Sequence, residues 1–341
     1  MTGLPGMPKV GMKDIAAEAG VSIATVSHAF RNPDRVSDGT RKRVLAAARR
    51  VGYTPNRLGA SLRTARSGNI VVVIPDVADA HNARLITGIE AVAHEKGYSV
   101  LLGNTRGSEA REREFASMAR SGQADGIILM SHRMPFRSAN ADELPPLVNG
   151  CEFTGRPGIP CVSIDDRAAG ADATQHLLGI GHRDVAAITG DMESTSSRRR
   201  LEGYREAMAE AGLPVREDLV VYADYTTEGG EAATRELLLR RERPTAIFCF
   251  SDEIAIGCMH ALRAQGFAVP RDMSVIGIDD VEFARYANPP LTTIAQPTEE
   301  IGACCARILF ELMEGDRPED LIRILPHRLV VRESTAPPRE F

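Results

Sequence analysis

Several apolar segments of this sequence end in carboxylates or a hydroxyl group. Asp76 follows VVVIP, Ser251 follows IFCF and Asp279 follows VIGI. Together with the guanidinium of Arg200, such groups can hydrogen-bond a polyhydroxylated ligand, for example a sugar or a nucleoside. For any single Asp the other interpretation stays open, namely a helix cap or a loop turn. Asp165-Asp166, in SIDDRAAG, could hold a cation, but adjacent carboxylates at the end of a strand more often cap the next helix, and the sequence favours that interpretation.

The segments before these polar residues alternate with amphipathic helices. Strand-like stretches include NIVVVIPDV, YSVLLGNT, DGIILMS, PPLVNG, CVSIDD, DVAAITG, LVVYADY, TAIFCFS and MSVIGIDD. Helices are expected at 83–96, within ARLITGIEAVAHEKG and with Gly97 as a stop, and at about 168–180, 198–212, 227–240, 252–266 and 299–314. The sequence therefore predicts a doubly wound α/β architecture with two subdomains, and ligands of such sheets bind at the carboxyl ends of the strands.

The stretch GVSIATVSH (20–28) has a different chemistry. MKDIAAEA predicts a helix with Ile15, Ala16 and Ala19 on one face, and Gly20 ends it. Ser22 then caps a second helix, so the two form a helix-turn-helix. Small outward side chains let the second helix enter a major groove, where His28 can donate to guanine, and Thr25 and Ser27 suit phosphates.

Charge is divided unevenly along the chain. Residues 1–66 contain 12 Lys or Arg and four Asp or Glu, a net charge of +8, whereas the total is −5. A basic N-terminal region on an acidic body indicates a polyanionic partner for that region. A merely solvated basic face, or a helical cap without a ligand, is the alternative.

A third helix and a short linker follow the helix-turn-helix. Ser37 is expected to cap a helix from about Asp38 to Val51, with Val44, Leu45 and Ala48 facing inward. After Pro55, Asn56 can cap one or two turns that end at Leu62, too short to be stable alone. Leu62 beside Arg63 has the composition of a minor-groove wedge, although an ordinary linker has the same composition.

Other classes of protein are disfavoured by what the sequence lacks. No GxSxG, HExxH, GxxxxGK[ST] or GxGxxG motif occurs, so we expect no enzyme and no cofactor. Six cysteines lie mostly in apolar runs, which indicates buried reduced thiols, and His176 and His182 are badly spaced for zinc. With no membrane-spanning stretch and no secretory signal, we expect a cytoplasmic protein.

Residues 12–62 closely resemble the headpiece and hinge of the LacI/GalR family of bacterial repressors. The resemblance runs from about Lys13 to Glu333 and includes VVIPDV, GIEAVAHEKGYSVLLGNT, DGIIL, GIGHRDVAAITG, RRRLEGYREAM, AIFCFSDEIAIG, SVIGIDD and PPLTTIAQP. Within the family, LPPLVNGCEF, CVSIDD, NPDRVS and TTIAQP look most like the cytidine-responsive repressor branch. The resemblance implies a homodimer that binds a double-stranded, pseudo-palindromic operator and a small-molecule effector.

The resemblance also assigns residues. It places Ile23, Ala24 and His28 at base-reading positions and Leu62 at an intercalating position. Phosphate-contacting or positioning roles fall on Ser22, Thr25, Ser27, Ser37, Thr40, Tyr53 and Asn56. Effector contacts fall on Asp76, Arg200, Ser251 and Asp279, with Glu253, Gln296 and Thr298 near the cleft.

One segment departs from the family pattern. Many members have Asn-Pro-Phe-Phe after the first strand, whereas this chain has Asp79-Ala80-His81-Asn82. No aromatic ring is present there, so the cleft should be more polar, and His81 could donate to a ligand or simply face solvent. This difference weakens the expectation of a planar base as the ligand.

The expected domains are a helix-turn-helix headpiece at 1–55, a hinge helix or linker at 56–67, and an effector-binding and dimerisation core at 68–341. The core divides into an N-subdomain at about 68–166 plus 298–325 and a C-subdomain at about 167–297 plus 326–336. The architecture resembles periplasmic binding proteins. A free-standing solute-binding protein is the main rival, but it would need a secretion signal and no basic head.

Overall fold

We describe a computed structural model of the chain, covering residues 10–53, 66–137 and 143–339. The chain divides into two compact units, Met1–Ala65 and Arg66–Phe341. The described part of the first unit holds a 3₁₀ turn at Pro33–Arg35 and three helices, α1 (Met12–Ala19), α2 (Ile23–Arg31) and α3 (Asp38–Arg50).

The three helices form a small core of their own. Ile15, Val26 and Val44 have no exposed surface, and alanines of all three helices pack around them. Gly20 adopts a left-handed conformation with φ 63°, which ends α1 as expected. The Oγ atoms of Ser22 and Ser37 accept hydrogen bonds from the backbone N–H groups of Thr25 and Thr40, confirming both predicted caps.

The described part of the second unit contains two six-stranded sheets. Their strands are β1 (Asn69–Ile74), β2 (Ser99–Asn104), β3 (Gly126–Leu129), β4 (Leu147–Gly150), β5 (Cys161–Ser163), β6 (Val185–Thr189), β7 (Val220–Tyr222), β8 (Ala246–Cys249), β9 (Ser274–Asp279), β10 (Thr292–Ala295), β11 (Ile322–Ile324) and β12 (Arg328–Val330). The first sheet has the strand order β11-β5-β4-β3-β1-β2 and is parallel throughout. The second has the order β12-β10-β9-β8-β6-β7, with only β12 antiparallel.

Within the described residues, seven α-helices of this unit cover the sheets. They are α4 (Ala80–Glu95), α5 (Glu109–Arg120), α6 (Asp166–Gly179), α7 (Thr195–Glu210), α8 (Thr227–Leu238), α9 (Asp252–Ala264) and α10 (Thr298–Glu314). The nine predicted strands and the six helices predicted for this unit are present, with ends shifted by a few residues. The predictions did not include α5, β10, β11 or β12.

Three pairs of these helices pack so closely that each pair meets at glycines. A Cβ atom added to Gly88 of α4 would lie 1.9 Å from the carbonyl oxygen of Glu299, and one added to Gly302 of α10 would lie 2.1 Å from that of Leu85. Gly170 and Gly203 bring α6 and α7 together in the same way, and Gly230 and Gly257 do so for α8 and α9. Because any side chain would strike backbone, these contacts require glycine.

All six cysteines are free thiols, as expected. Five are buried, whereas Cys151 is only half-buried and therefore departs from the prediction. Burial raises the pKa of the Cys161 thiol to about 12. Among the described helices, none combines the length and the apolar character needed to cross a membrane.

Candidate ligand-binding and nucleic-acid-binding sites

The second helix presents a small-residue face to solvent. Val26 and Ala29 are buried against α1 and α3, which leaves Ile23 and Ala24 exposed, Ile23 at 45%. Thr25, Ser27 and His28 are half-buried. This face is narrow enough for a major groove, since no long side chain of its first turns stands in front of the backbone.

The other predicted phosphate-contacting residues have internal roles as well. The Ser37 and Thr40 hydroxyls lie 2.9 Å apart at the start of α3. Tyr53 packs its ring 5.8 Å from that of Phe30. Three further predicted residues, Asn56, Leu62 and Arg63, lie outside the described part of the chain.

Basic side chains line α3. Arg41, Lys42, Arg43 and Arg49 are exposed, and Arg50 donates to Glu18 at 2.8 Å. Arg50 therefore ties α3 to α1, while the other four remain available to a polyanion.

In the second unit, residues from both sheets meet at the carboxyl ends of the strands. His81, in the first turn of α4, places Nδ1 3.5 Å from Oδ1 of Asp279 at the end of β9. Gln296, just after β10, donates from Nε2 to the same oxygen at 2.7 Å. Burial raises the pKa of Asp279, although His81 and Arg200 oppose that rise. The structure thus brings three predicted residues together.

A fourth predicted residue, Glu253, lies beside this group. Its Oε1 accepts a hydrogen bond from the backbone N–H of Ala80 at 3.4 Å, which links α9 to the start of α4. Half-burial, together with the carboxylates of Asp79, Asp279 and Asp76, raises the pKa of Glu253 to about 7. The exposed Asp76 therefore also contributes its charge to this site, while its Oδ1 accepts from the N–H of Ala78.

Arg200 and Ser251 are occupied by internal partners. The Nε of Arg200 donates to Oδ1 of Asp166 at 2.9 Å, and its Nη1 donates to the carbonyl of Phe250 at 2.6 Å. Burial opposes the charge of Arg200, but Asp166 and other neighbours raise its pKa above the ordinary value. Ser251 caps α9 by accepting from the N–H of Ile254. Neither residue hydrogen-bonds the His81–Asp279–Gln296 group in the described contacts, although the charge of Arg200 acts on Asp279.

Glu152 is a site residue that sequence reasoning missed. It follows β4 of the first sheet, yet its carboxylate accepts from the hydroxyls of Ser194 and Ser196 at 2.5 and 2.6 Å. The backbone N–H of Thr195 also donates to it at 2.9 Å. Glu152 therefore binds the N-terminus of α7, at the second sheet, where helix-end N–H groups favour a negative charge.

Several buried side-chain polar atoms in or near the first sheet have no hydrogen-bond partner among the described residues. In the described ranges, six such atoms lack hydrogen-bond partners, and all belong to β2, β4 or segments that follow strands of this sheet. They are His81 Nδ1, Asn104 Oδ1, Thr105 Oγ1, Glu112 Oε2, His132 Nε2 and Asn149 Oδ1. Because buried polar atoms are normally paired, the region at the carboxyl ends of the strands of this sheet is suited to a polar ligand. In the sequence, Asn104-Thr105 after VLLG was the available hint.

Known proteins resemble the whole chain. Residues 11–56 match the family described as "Bacterial regulatory proteins, lacI family", and residues 174–335 match "Periplasmic binding protein-like domain". The HTH-type transcriptional repressor CytR of Escherichia coli (strain K12) is 38% identical over 326 residues, covering 95% of this chain and 96% of the relative.

Two solved structures share the fold. The transcriptional regulator CelR in complex with cellobiose is 34% identical with a TM-score of 0.72, covering 95% of this chain and 99% of that one. The lac repressor dimer bound to operator and the anti-inducer ONPF is 26% identical with a TM-score of 0.84, covering 96% and 99%. With such identity along nearly its full length, the chain belongs to the lacI family of bacterial regulatory proteins.

Proposed function

We propose that this protein is a transcriptional repressor that binds a palindromic operator as a homodimer and changes its DNA affinity when a small polar metabolite binds. The observation that carries the proposal is the exposed, small-residue face of α2 on a basic headpiece, in a chain related to CytR along 95% of its length. Its residence in the cytoplasm and the absence of enzymatic activity are parts of the proposal.

DNA recognition is assigned to the headpiece and the linker. Ile23, Ala24 and His28 would contact base edges, and Ser22, Thr25, Ser27, Ser37, Thr40, Tyr53 and Asn56 would contact or position phosphates. Leu62 would unstack a base step in the minor groove, with Arg63 beside it. We keep the domain limits of the sequence analysis, with the headpiece at 1–55 and the linker at 56–67.

The effector would bind at the carboxyl ends of the two sheets, within the core at 68–341. His81, Asp279, Gln296 and Glu253 supply donors and acceptors from both sheets. Asp76, Arg200 and Ser251 complete the proposed set. Arg200 would act by holding Asp166 and the end of β8 in place, or by exchanging Asp166 for an anionic group of the ligand. Sugars, sugar acids and nucleosides all offer the required hydroxyl groups.

The DNA role is tested with the full-length protein and a randomised palindromic duplex library at low ionic strength. We expect enrichment of one palindrome, and His28→Ala should lower the affinity for it while leaving non-specific binding nearly unchanged. His260→Ala removes an exposed histidine of α9 and is the matched control. Failure to enrich any palindrome, with and without candidate metabolites, contradicts the proposal.

The ligand role is tested by thermal-shift screening of the same protein against sugars, sugar acids and nucleosides. A compound that raises the melting temperature should lose this effect in Asp279→Asn and keep it in Asp316→Asn, which changes an exposed carboxylate distant in sequence from the cleft. Coupling of about 1–3 kcal/mol would then change operator affinity about 5–150-fold. Equal binding by both variants would remove Asp279 from the site.

A second candidate function is a dual regulator or activator. The same headpiece serves both, because activation depends on where the operator lies relative to a promoter rather than on this chain's contacts. Transcription in vitro from templates with the enriched operator upstream of, or overlapping, the promoter distinguishes the two.

A further inference from the structure

Three side chains with metal-binding atoms converge from the two sheets of the second unit. His132 follows β3 of the first sheet, and Asp191 and Glu193 follow β6 of the second. One ligand atom of each lies within 4.8 Å of the others. Nε2 of His132 and Oε2 of Glu193 are 3.7 Å apart, too far for a hydrogen bond.

His132 supplies an independent indication that something binds here. Its Nε2 atom is buried and has no hydrogen-bond partner within the described ranges, although the side chain as a whole is 18% exposed. Leaving a buried nitrogen unpaired costs free energy, so such an atom normally has a ligand or a donor. The only described ionic partner in range is Glu193.

The two carboxylates are held by a tight turn. Asp191 Oδ1 accepts a hydrogen bond from the backbone N–H of Glu193 at 2.8 Å, which holds the Asp191 side chain against the turn. The loop leads directly into α7, whose cap at Ser194 is bound to Glu152 of the first sheet. The acidic pair is therefore positioned by backbone rather than placed on a free chain segment.

Arg133 is the present neighbour of Glu193. Its Nη2 donates to Oε2 at 3.1 Å, and its Nη1 donates to the carbonyl of Gly107 at 3.1 Å. A metal ion at this place would compete with the guanidinium for Glu193, which limits its affinity.

We propose that His132, Asp191 and Glu193 form a binding site for a divalent transition-metal ion of the Zn²⁺ type. One imidazole and two carboxylates match the donors that Zn²⁺ accepts, whereas Mg²⁺ and Ca²⁺ prefer oxygen ligands alone. Bonds of about 2.0–2.2 Å put tetrahedral donors about 3.4 Å apart. The three atoms lie within 4.8 Å of one another, so they need to approach by at most about 1.4 Å. Water would supply the fourth ligand.

Such an ion would join the two sheets at their carboxyl ends. Its ligands come from loops on opposite sides of the proposed effector cleft, so binding favours the arrangement in which these loops are close. The metal would be a second regulatory input, separate from the residues around Asp279.

The test is a calorimetric titration in which Zn²⁺ is added to EDTA-treated, full-length protein. We expect one saturable site with a Kd below about 100 μM, lost in both His132→Gln and Glu193→Gln and retained in the matched control His94→Gln on α4. Replacing Zn²⁺ by Co²⁺ should give a visible spectrum without thiolate-to-cobalt charge transfer, which excludes the cysteines as ligands. Absence of saturable binding, retention in either variant, or a thiolate spectrum overturns the proposal.

Arg133→Gln provides a test that does not depend on removing a ligand. Because it takes away the competing cation, it should tighten Zn²⁺ binding several-fold. If His132→Gln fails to fold, as judged by its melting temperature, this variant decides: tighter binding supports the site, and unchanged or weaker binding overturns it.

Discussion

At the scale of single residues, some buried charges of the second unit are balanced by an ion-pair partner. Asp166 and Arg200 form the deepest such pair, with side chains 4% and 7% exposed. Burial raises the pKa of Asp166, and Arg200 opposes that rise. Asp165-Asp166 was interpreted from the sequence as a helix cap, and Asp165 does cap α6. The ion pair of Asp166 was not foreseen, since its partner lies 34 residues away.

Asp166→Ala should therefore strongly destabilise the protein. It leaves the guanidinium of Arg200 buried without its counter-ion, a change that typically costs about 3–5 kcal/mol. The comparison is Glu217→Gln, which breaks the exposed pair with Arg205, where Glu217 is 66% exposed, and should cost less than about 1 kcal/mol. Chemical denaturation of both variants checks the contrast, and similar losses would contradict it.

Glu253 should make stability depend on pH. Its pKa in the fold, about 7, lies above the ordinary value of a glutamate, so the fold favours the protonated form. Its contribution is therefore complete at acidic pH and is lost as the pH rises through 7. The melting temperature of Glu253→Gln, relative to wild type, should increase between pH 5 and pH 8. Glu90→Gln, which changes an exposed residue of α4, should show the same pH dependence of the melting temperature as wild type. If the difference in melting temperature between Glu253→Gln and wild type does not change with pH, the prediction is wrong.

At the scale of elements, local chemistry predicted most helices and buried strands. Ser22, Ser37 and Gly20 could be identified because caps depend on residues within one turn. Strand β11 could not, because it is exposed throughout and its pairing with β5 joins residues about 160 positions apart. The same limit applies to the site. Individual polar residues at strand ends could be predicted from the sequence, but the contact of His81 with Asp279 and that of Glu152 with α7 depend on the tertiary fold.

The glycine contacts between helices lead to an element-scale prediction. Gly88→Ala puts a methyl group 1.9 Å from the carbonyl oxygen of Glu299, so α4 and α10 must separate. Overpacking of this kind costs about 1–3 kcal/mol or more. Gly179→Ala, at the end of α6, meets nothing within 4 Å and should be neutral or slightly stabilising. Thermal unfolding of both variants measures the difference, and equal melting temperatures would argue against the close contact.

At the scale of the whole molecule, the two units differ in the sign of their net charge. The basic first 66 residues and the acidic remainder predict that only the headpiece attracts DNA. Operator affinity should fall by about 10³-fold or more between 50 and 200 mM salt if six or more phosphates are contacted. Fluorescence anisotropy at several salt concentrations gives the slope, and a weak dependence would exclude a phosphate-dominated interface.

The chain passes from one sheet to the other three times, after β5, after β10 and after β11. As a consequence, the strands of neither sheet are encoded by one uninterrupted stretch of the gene. A nascent chain on the ribosome lacks an outer strand of the first sheet until Ile324 has emerged, and one of the second until Val330 has emerged. Recombination between related regulators must therefore transfer at least two separate gene fragments to exchange one complete sheet, and with it that sheet's share of the ligand site.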